Sequence, residues 1–148
     1  MNLSNGWFQS FNFQEANLHE ANFSNSDLRN ANLTGANLTG ANLRDANLRS
    51  AYLLRADLGY AILRNANLRS ADLSSAYLTG ANLISADLSS TDLGGADLTR
   101  ADLTRADLRG ADLSSANLTR ADLGYAIYSE ATIFPSKFDA LKAGMIKI

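Results

Sequence analysis

The sequence contains no cysteine and no valine, and it has only one histidine, one proline and one tryptophan. The absence of cysteine excludes a disulfide framework and any thiolate metal or redox site. A single imidazole, on His19, excludes metal sites built from several histidines. The chain therefore predicts no catalytic residue, no metal site and no bound cofactor.

Long apolar runs and a strong charge of one sign are also missing. The longest apolar stretches, such as residues 51–54, are four residues long, far too short to cross a membrane. The first fifteen residues lack the basic start and apolar segment of a signal peptide, so we expect a cytoplasmic protein. A net charge of −2 gives no general attraction to nucleic acid or to anionic lipid, so neither is an expected direct partner.

A five-residue repeat occupies most of the chain. Counting in fives from Leu18 to Ile133 gives 24 consecutive pentads over residues 16–135. The central place of the pentad holds leucine 21 times, and the place two residues earlier, the alanine place, holds alanine 22 times. The middle place, between these two, holds asparagine or aspartate in 19 pentads. The two corner places that follow the central residue are variable.

A period of five fits neither a helix nor a continuous strand. Five residues advance the position on a helix by about 140°, so the leucines would not form a stripe. In a strand, an odd period would send successive leucines to opposite faces. The pattern instead favours a chain that bends once per pentad, with alanine and leucine inside and asparagine or aspartate outside. Such a chain coils, and its coils stack about 4.8 Å apart through backbone pairing.

Pentads such as Ala31-Asn32-Leu33-Thr34-Gly35 and Ala101-Asp102-Leu103-Thr104-Arg105 follow the pattern A-(D/N)-L-x-x. This pattern resembles the pentapeptide-repeat family. The C-terminal segment resembles the closing segment of cyanobacterial members through Phe134-Pro135-Ser136-Lys137-Phe138-Asp139 and Ala143-Gly144-Met145-Ile146. The resemblance implies an all-β fold, a right-handed, four-sided parallel β-helix. Twenty residues per coil would give about six regular coils.

The two ends of the chain depart from the repeat. Residues 1–15 continue its phase imperfectly and predict an entry or capping coil whose aromatic residues Trp7, Phe8, Phe11 and Phe13 close the N-terminal end. Residues 136–148 carry apolar residues at roughly helical spacing and predict an amphipathic helical cap on the last coil. The same apolar face could instead dock on a second copy, so the sequence leaves open a monomer or a dimer formed through the C-terminal segment.

If coils repeat every 20 residues, charged side chains form columns on the outer surface. These possible charged stripes are Arg29, Arg49, Arg69 and Arg109, and Asp72, Asp92 and Asp112. One interpretation is that asparagine and aspartate brace the turns by accepting backbone amide hydrogen bonds, while arginine keeps the surface soluble. The other is that a column is a recognition stripe.

Exposed apolar residues give a second indication of a binding surface. The candidates for protein contact are Tyr52, Leu54, Tyr60, Ile62 and Ile84. We expect them to form a modest hydrophobic corner. Alternatively, corner aromatics simply pack over glycine residues of neighbouring coils.

These observations predict a non-enzymatic structural or protein-interaction solenoid with an unidentified protein partner, because a flat outer wall offers no pocket for catalysis. An alternative comes from the resemblance, since gyrase-binding members of the family imitate the shape and charge of duplex DNA. The chain departs from those members because its repeat region balances 10 arginines against 13 acids and has no projecting loop.

Overall fold

In the computed structural model, which describes all 148 residues, the chain winds into a tube of stacked coils. Parallel backbone bridges join each middle-place residue to the residue 20 positions later, from Asn2 with Asn22 to Asp107 with Ile127. Backbone hydrogen bonds run in both directions between adjacent coils. For example, the Leu68 amide donates to Asp87 O at 2.8 Å, and the Asp87 amide donates to Ala66 O at 2.9 Å. Twenty residues with four bends make a four-sided coil, as the resemblance predicts.

Each corner of the tube is a tight turn. The alanine-place amide donates to the central-place carbonyl three residues earlier, for example from Ala71 to Leu68 at 2.9 Å. The second corner place has a positive φ at every pentad from Asn5 to Tyr125, and the first corner place does not. This sign pattern is that of a type II turn, which explains the glycine, asparagine and serine found there.

The leucine and alanine side chains fill the inside of the tube. One continuous cluster of 41 buried residues runs from Leu18 to Met145. Two buried polar residues take the alanine place, and each satisfies its hydroxyl on the backbone. Ser26 Oγ donates to Phe23 O at 2.7 Å, and Thr91 Oγ1 donates to Leu68 O at 2.8 Å. The interior is therefore a packed core without a channel.

The four outer faces are defined by their middle-place columns. Face 1 begins at Asn2, face 2 at Trp7, face 3 at Asn12 and face 4 at Asn17, and each continues in steps of 20. Every outward residue can therefore be placed on a face from its number alone.

The N-terminal coil is as regular as those that follow. Its bridges start at Asn2, so residues 1–15 add three pentads, three quarters of a coil, before the six coils that the pentad count predicts. Aromatic rings close this end, with Phe8 in edge-to-face contact with Phe11, Phe13 and Phe23 at centroid distances of 5.6–5.7 Å. The prediction that Trp7 belongs to this plug is wrong. Trp7 occupies the middle place of its pentad, so its side chain lies on the outside of face 2, where it is 80% exposed.

The predicted C-terminal helix is absent. The segment forms a single helical turn that begins at Asp139, whose Oδ1 accepts from the Lys142 amide at 3.1 Å. The turn ends at Gly144, with φ of 77° and a Met145 amide bonded to Ala140 O. The segment is too short for a stable helix and gains more from continuing the ladder.

That continuation is the only pair of extended strands in the molecule. Strand β1, Ile127–Tyr128, pairs in parallel with strand β2, Ile146–Lys147. Between them, Met145 is buried under the last coil, and Phe134 stacks on Phe138 at a centroid distance of 5.1 Å. The tail therefore covers the core, but as turns and a strand.

The last coil also shifts the repeat by one residue. Asp112 bridges Ile133, 21 residues later, so Thr132 takes an alanine place and Phe134 a central place. Thr132 Oγ1 donates to Leu108 O at 2.8 Å, a contact of the same kind as that of Thr91. The extra residue lies after β1 and ends the strict five-residue phase.

Candidate interaction surface

The middle-place side chains brace the corners. Each of the 21 asparagine and aspartate residues in this place from Asn2 to Asp122 accepts, through Oδ1, a hydrogen bond from the amide two residues later. The donor–acceptor distances are 2.8–3.2 Å, as in a local Asx turn. Most of the polar column residues therefore have a structural role in the turns.

The aspartate column of face 3 follows this rule. Asp72, Asp92 and Asp112 bridge one another in consecutive coils, as the 20-residue spacing predicts. Their Oδ1 atoms accept from Ser74, Gly94 and Ser114 at 2.8–3.0 Å. The hydrogen bonds from the Ser114 backbone and hydroxyl hold the pKa of Asp112 below 3.8. The column thus carries negative charge, with one oxygen of each carboxylate already engaged.

The arginine column lies on the corner between faces 2 and 3. Its members differ in whether the middle-place residue two positions earlier is aspartate or asparagine. Arg29 and Arg109 follow aspartates and form two-point ion pairs with Asp27 and Asp107, with Nε–Oδ1 distances of 2.9 Å in both. Arg49 and Arg69 follow asparagines and form no ion pair.

The paired carboxylates have lowered pKa values. The Arg29 side chain, through its hydrogen bonds, lowers the pKa of Asp27. For Asp107, burial raises the pKa, but the hydrogen bonds from Arg109 and the positive charges of Arg109 and Arg69 outweigh burial, and the net pKa is lowered. The carboxylates of Asp27 and Asp107 are therefore charged at neutral pH, and each neutralises the arginine with which it is paired.

The structure separates the predicted hydrophobic corner. Tyr52 bridges Asn32 and Asp72 on face 3, whereas Ile62 bridges Asn42 and Asn82 on face 1, the opposite face. The candidates instead form a band that winds around the tube over residues 52–84. This apolar band, which also includes the unpredicted Tyr77 of face 4, consists of Tyr52, Leu54, Tyr60, Ile62, Tyr77 and Ile84.

Within the band, three residues break the bracing rule. Tyr52, Ile62 and Tyr77 occupy middle places without a side-chain acceptor, and they are 55%, 42% and 55% exposed. The Tyr60 ring packs over Gly80 of the next coil, as the alternative interpretation of corner aromatics predicts. Its side chain is nevertheless 68% exposed. The band is therefore an apolar surface, exposed at Tyr52, Tyr60, Ile62 and Tyr77 and half-buried at Leu54 and Ile84, that turn formation does not require.

Sequence reasoning missed Trp7 as a surface residue. Its pentad phase was the available signal, because Trp7 precedes the central-place Phe8 and must point outward. Trp7 borders a shallow depression whose lining includes Asn25, Asp27 and Arg29 on face 2.

The outer walls carry only shallow depressions lined mainly by polar residues. No group of three or more histidine, cysteine, aspartate or glutamate side chains is gathered as the ligands of a metal ion would be. The chain also forms no helix with the length and apolar character needed to span a membrane.

Comparison with known families identifies the repeat. The family described as "Pentapeptide repeats" matches in eight copies over segments that together run from residue 2 to residue 124. The chain belongs to the pentapeptide-repeat family. A search of curated protein sequences found no match.

The fold is a right-handed β-helical solenoid, and the chain is similar to several solved structures, including those of two cyanobacterial pentapeptide-repeat proteins. The chain is 29% identical to Rfr23 from the cyanobacterium Cyanothece 51142, with a TM-score of 0.56, covering 90% of this chain and 87% of that one. It is 29% identical to HetL, involved in heterocyst differentiation regulation in the cyanobacterium Nostoc sp. strain PCC 7120, with a TM-score of 0.46, covering 98% and 76%. QnrB1, a plasmid-mediated fluoroquinolone resistance protein, is 18% identical with a TM-score of 0.53, covering 100% and 90%.

Proposed function

We propose that this pentapeptide-repeat protein is a non-enzymatic interaction scaffold that binds a partner protein through its apolar band. The observation that carries the proposal is the position of Tyr52, Ile62 and Tyr77. At these three middle places the chain forgoes a turn-bracing hydrogen bond and exposes a large apolar side chain instead.

Physical chemistry supports contact with a protein. Each missing brace costs the fold about 0.5–1.5 kcal/mol, and exposed aromatic surface costs further free energy in water. A partner that covers the rings removes that exposure, and tyrosine is among the residues that contribute most to protein interfaces. Tyr52, Leu54 and Tyr77 lie around the corner between faces 3 and 4, while Tyr60 and Ile62 lie around the next corner, so one partner could engage two adjoining corners.

The test is a crosslinking pull-down from the native lysate with wild type and with Tyr77→Asn. Asparagine restores the consensus brace, so the variant is expected to fold at least as stably as wild type. We expect it to lose a partner protein that wild type captures. Asn82→Asp, which exchanges one consensus residue for another, is the matched control and should retain that protein. Identical captured proteins for all three would contradict a role for the band.

The alternative function, imitation of DNA at a type II topoisomerase such as gyrase, rests on face 3. There Asp72, Asp92 and Asp112 are stacked about 4.8 Å apart, and the corners that follow them hold only serine and glycine. Phosphates in one DNA strand are about 3.4 Å apart, so the spacing matches poorly. This candidate predicts inhibition of gyrase supercoiling by wild type and relief in Asp92→Asn. An absence of inhibition at micromolar protein would dismiss it.

A further inference from the structure

Face 2 is bordered by arginine side chains that form no ion pair within the protein. Arg49 and Arg69 are exposed on the corner between faces 2 and 3, and Arg64 is exposed on the corner between faces 1 and 2. None of the three forms an ion pair. We call Arg49, Arg64 and Arg69 the arginine patch. They rim the same face in neighbouring coils, so their charges add locally.

The middle-place residues that precede Arg49 and Arg69 are asparagines, so these arginines lack the aspartate with which Arg29 and Arg109 form ion pairs. Asn47 and Asn67 brace the amides of Arg49 and Arg69 at 3.2 and 3.1 Å, but asparagine carries no charge. At the equivalent places one coil before Asn47 and two coils after Asn67, Asp27 and Asp107 form ion pairs with Arg29 and Arg109. The guanidinium groups of Arg49 and Arg69 are thus left with their donors directed to solvent, and guanidinium groups bind carboxylates through two parallel hydrogen bonds.

The positive region is short. Asp27 lies one coil before it and Asp87 one coil after it on face 2. A long polyanion such as nucleic acid gains affinity from many phosphate contacts, but beyond the patch it would meet the neutral Arg29–Asp27 ion pair on one side and the Asp87 carboxylate on the other. A short acidic stretch of a protein fits the available length.

An apolar anchor lies on the same face. Trp7 is the most exposed of the large hydrophobic residues, and it stands two coils before Asn47 in the face 2 column. That separation is about 10 Å, the span of roughly three extended residues. Tryptophan and arginine are the residues most enriched at the energetic centres of protein interfaces.

We propose that face 2 binds a short acidic segment of a protein partner, with carboxylates on the arginine patch and an apolar residue against Trp7. The inference rests on the proposed function, since it supposes a protein partner, but it concerns a different surface and a stated chemistry.

The experiment measures binding of a fluorescein-labelled octapeptide of alternating glutamate and serine by fluorescence anisotropy at low and at physiological salt. Wild type should bind it, more weakly as salt rises. Arg49→Gln/Arg69→Gln should weaken binding about tenfold. Arg100→Gln/Arg120→Gln, which removes two other unpaired arginines and changes the net charge equally, should weaken it by less than about twofold.

Three results would overturn the inference. They are no binding by wild type, equal losses in both double variants, and tighter binding of a single-stranded DNA octamer through the same arginines. The inference and the proposed function can fail separately. If Arg49→Gln/Arg69→Gln captures the same protein as wild type in the pull-down while Tyr77→Asn loses it, the acidic-segment inference fails and the interaction through the apolar band stands.

Discussion

The ring of Tyr60 lies on the backbone of Gly80, one coil further along the tube. A Cβ atom on Gly80 would stand 2.7 Å from Tyr60 Cε1, closer than real contacts allow. The Glu15 side chain covers Gly35 in the same way, since a Cβ atom on Gly35 would stand 3.3 Å from Glu15 Cγ. At these corners the second-corner side chain therefore covers the next coil, and the residue beneath it is glycine.

The pair predicts a measurable coupling. Gly80→Ala should destabilise the protein by about 1 kcal/mol more than Gly95→Ala, because the methyl group forces the Tyr60 ring off the corner. Both glycines have φ of +66°, so the backbone strain of alanine is shared. Chemical denaturation gives the two free energies of unfolding. In a Tyr60→Ser background the difference should vanish, and its persistence would show that the ring is not the cause.

Restoring a brace should stabilise the fold. Ile62→Asn would supply the missing acceptor for the Arg64 amide and should raise the free energy of unfolding by about 0.5–1.5 kcal/mol. Asn82→Ala, on the same face one coil later, removes the hydrogen bond to the Ile84 amide and should lower it by a similar amount. If both substitutions left the denaturation midpoint unchanged, the middle-place contacts would have no energetic weight.

Acid should weaken the protein through its paired aspartates. The pKa of Asp107 is lowered from 3.8 in the folded state, so its contribution is complete above that value and is lost as the pH falls through the folded pKa. We expect the melting temperature of wild type to fall between neutral pH and pH of about 3.

The variant Asp107→Asn keeps the brace to the Arg109 amide but cannot titrate, so its fall in melting temperature should be smaller. Arg109→Gln keeps the carboxylate and removes the cation, and it should also flatten the fall. An acid dependence equal to that of wild type in both variants would refute the role of this ion pair.

Core substitutions should cost more in the middle of the tube than at its end. Leu68→Ala deletes a fully buried side chain between complete coils and should cost about 2–5 kcal/mol. Leu118→Ala should cost clearly less, since Leu118 is only partly buried and its amide has no backbone partner in the next coil. Equal costs would mean that the final coil is as tightly packed as the interior.

The period of five predicted the columns, the inward leucines and the bracing of the corners, because each follows from where a residue falls within a pentad. It did not predict the end of the tube. The spacing of Phe138, Leu141, Met145 and Ile148 suggests a helix, but backbone pairing of β2 with β1 outweighs a local preference in so short a segment. Leu141 and Ile148 are exposed as a result.

The surface was only partly predictable for a similar reason. The sequence places Tyr52 and Ile62 near one another along the chain, yet ten residues amount to half a coil, so they face opposite directions. In the arginine column, whether an arginine forms an ion pair depends on the residue two positions earlier, which the pattern A-(D/N)-L-x-x treats as interchangeable. Asp27 and Asn47 make that difference for Arg29 and Arg49.

The 20-residue bridging step turns the residue number into a position on the surface. An insertion of twenty residues at a corner would lengthen the tube by one coil, about 4.8 Å, and leave every face aligned. An insertion of five would rotate everything beyond it by a quarter turn and bring, for instance, the face 3 aspartates into line with the face 4 column of the preceding coils. Duplication of whole coils can therefore extend a binding face, whereas duplication of a single pentad rebuilds the surface from a core that stays the same.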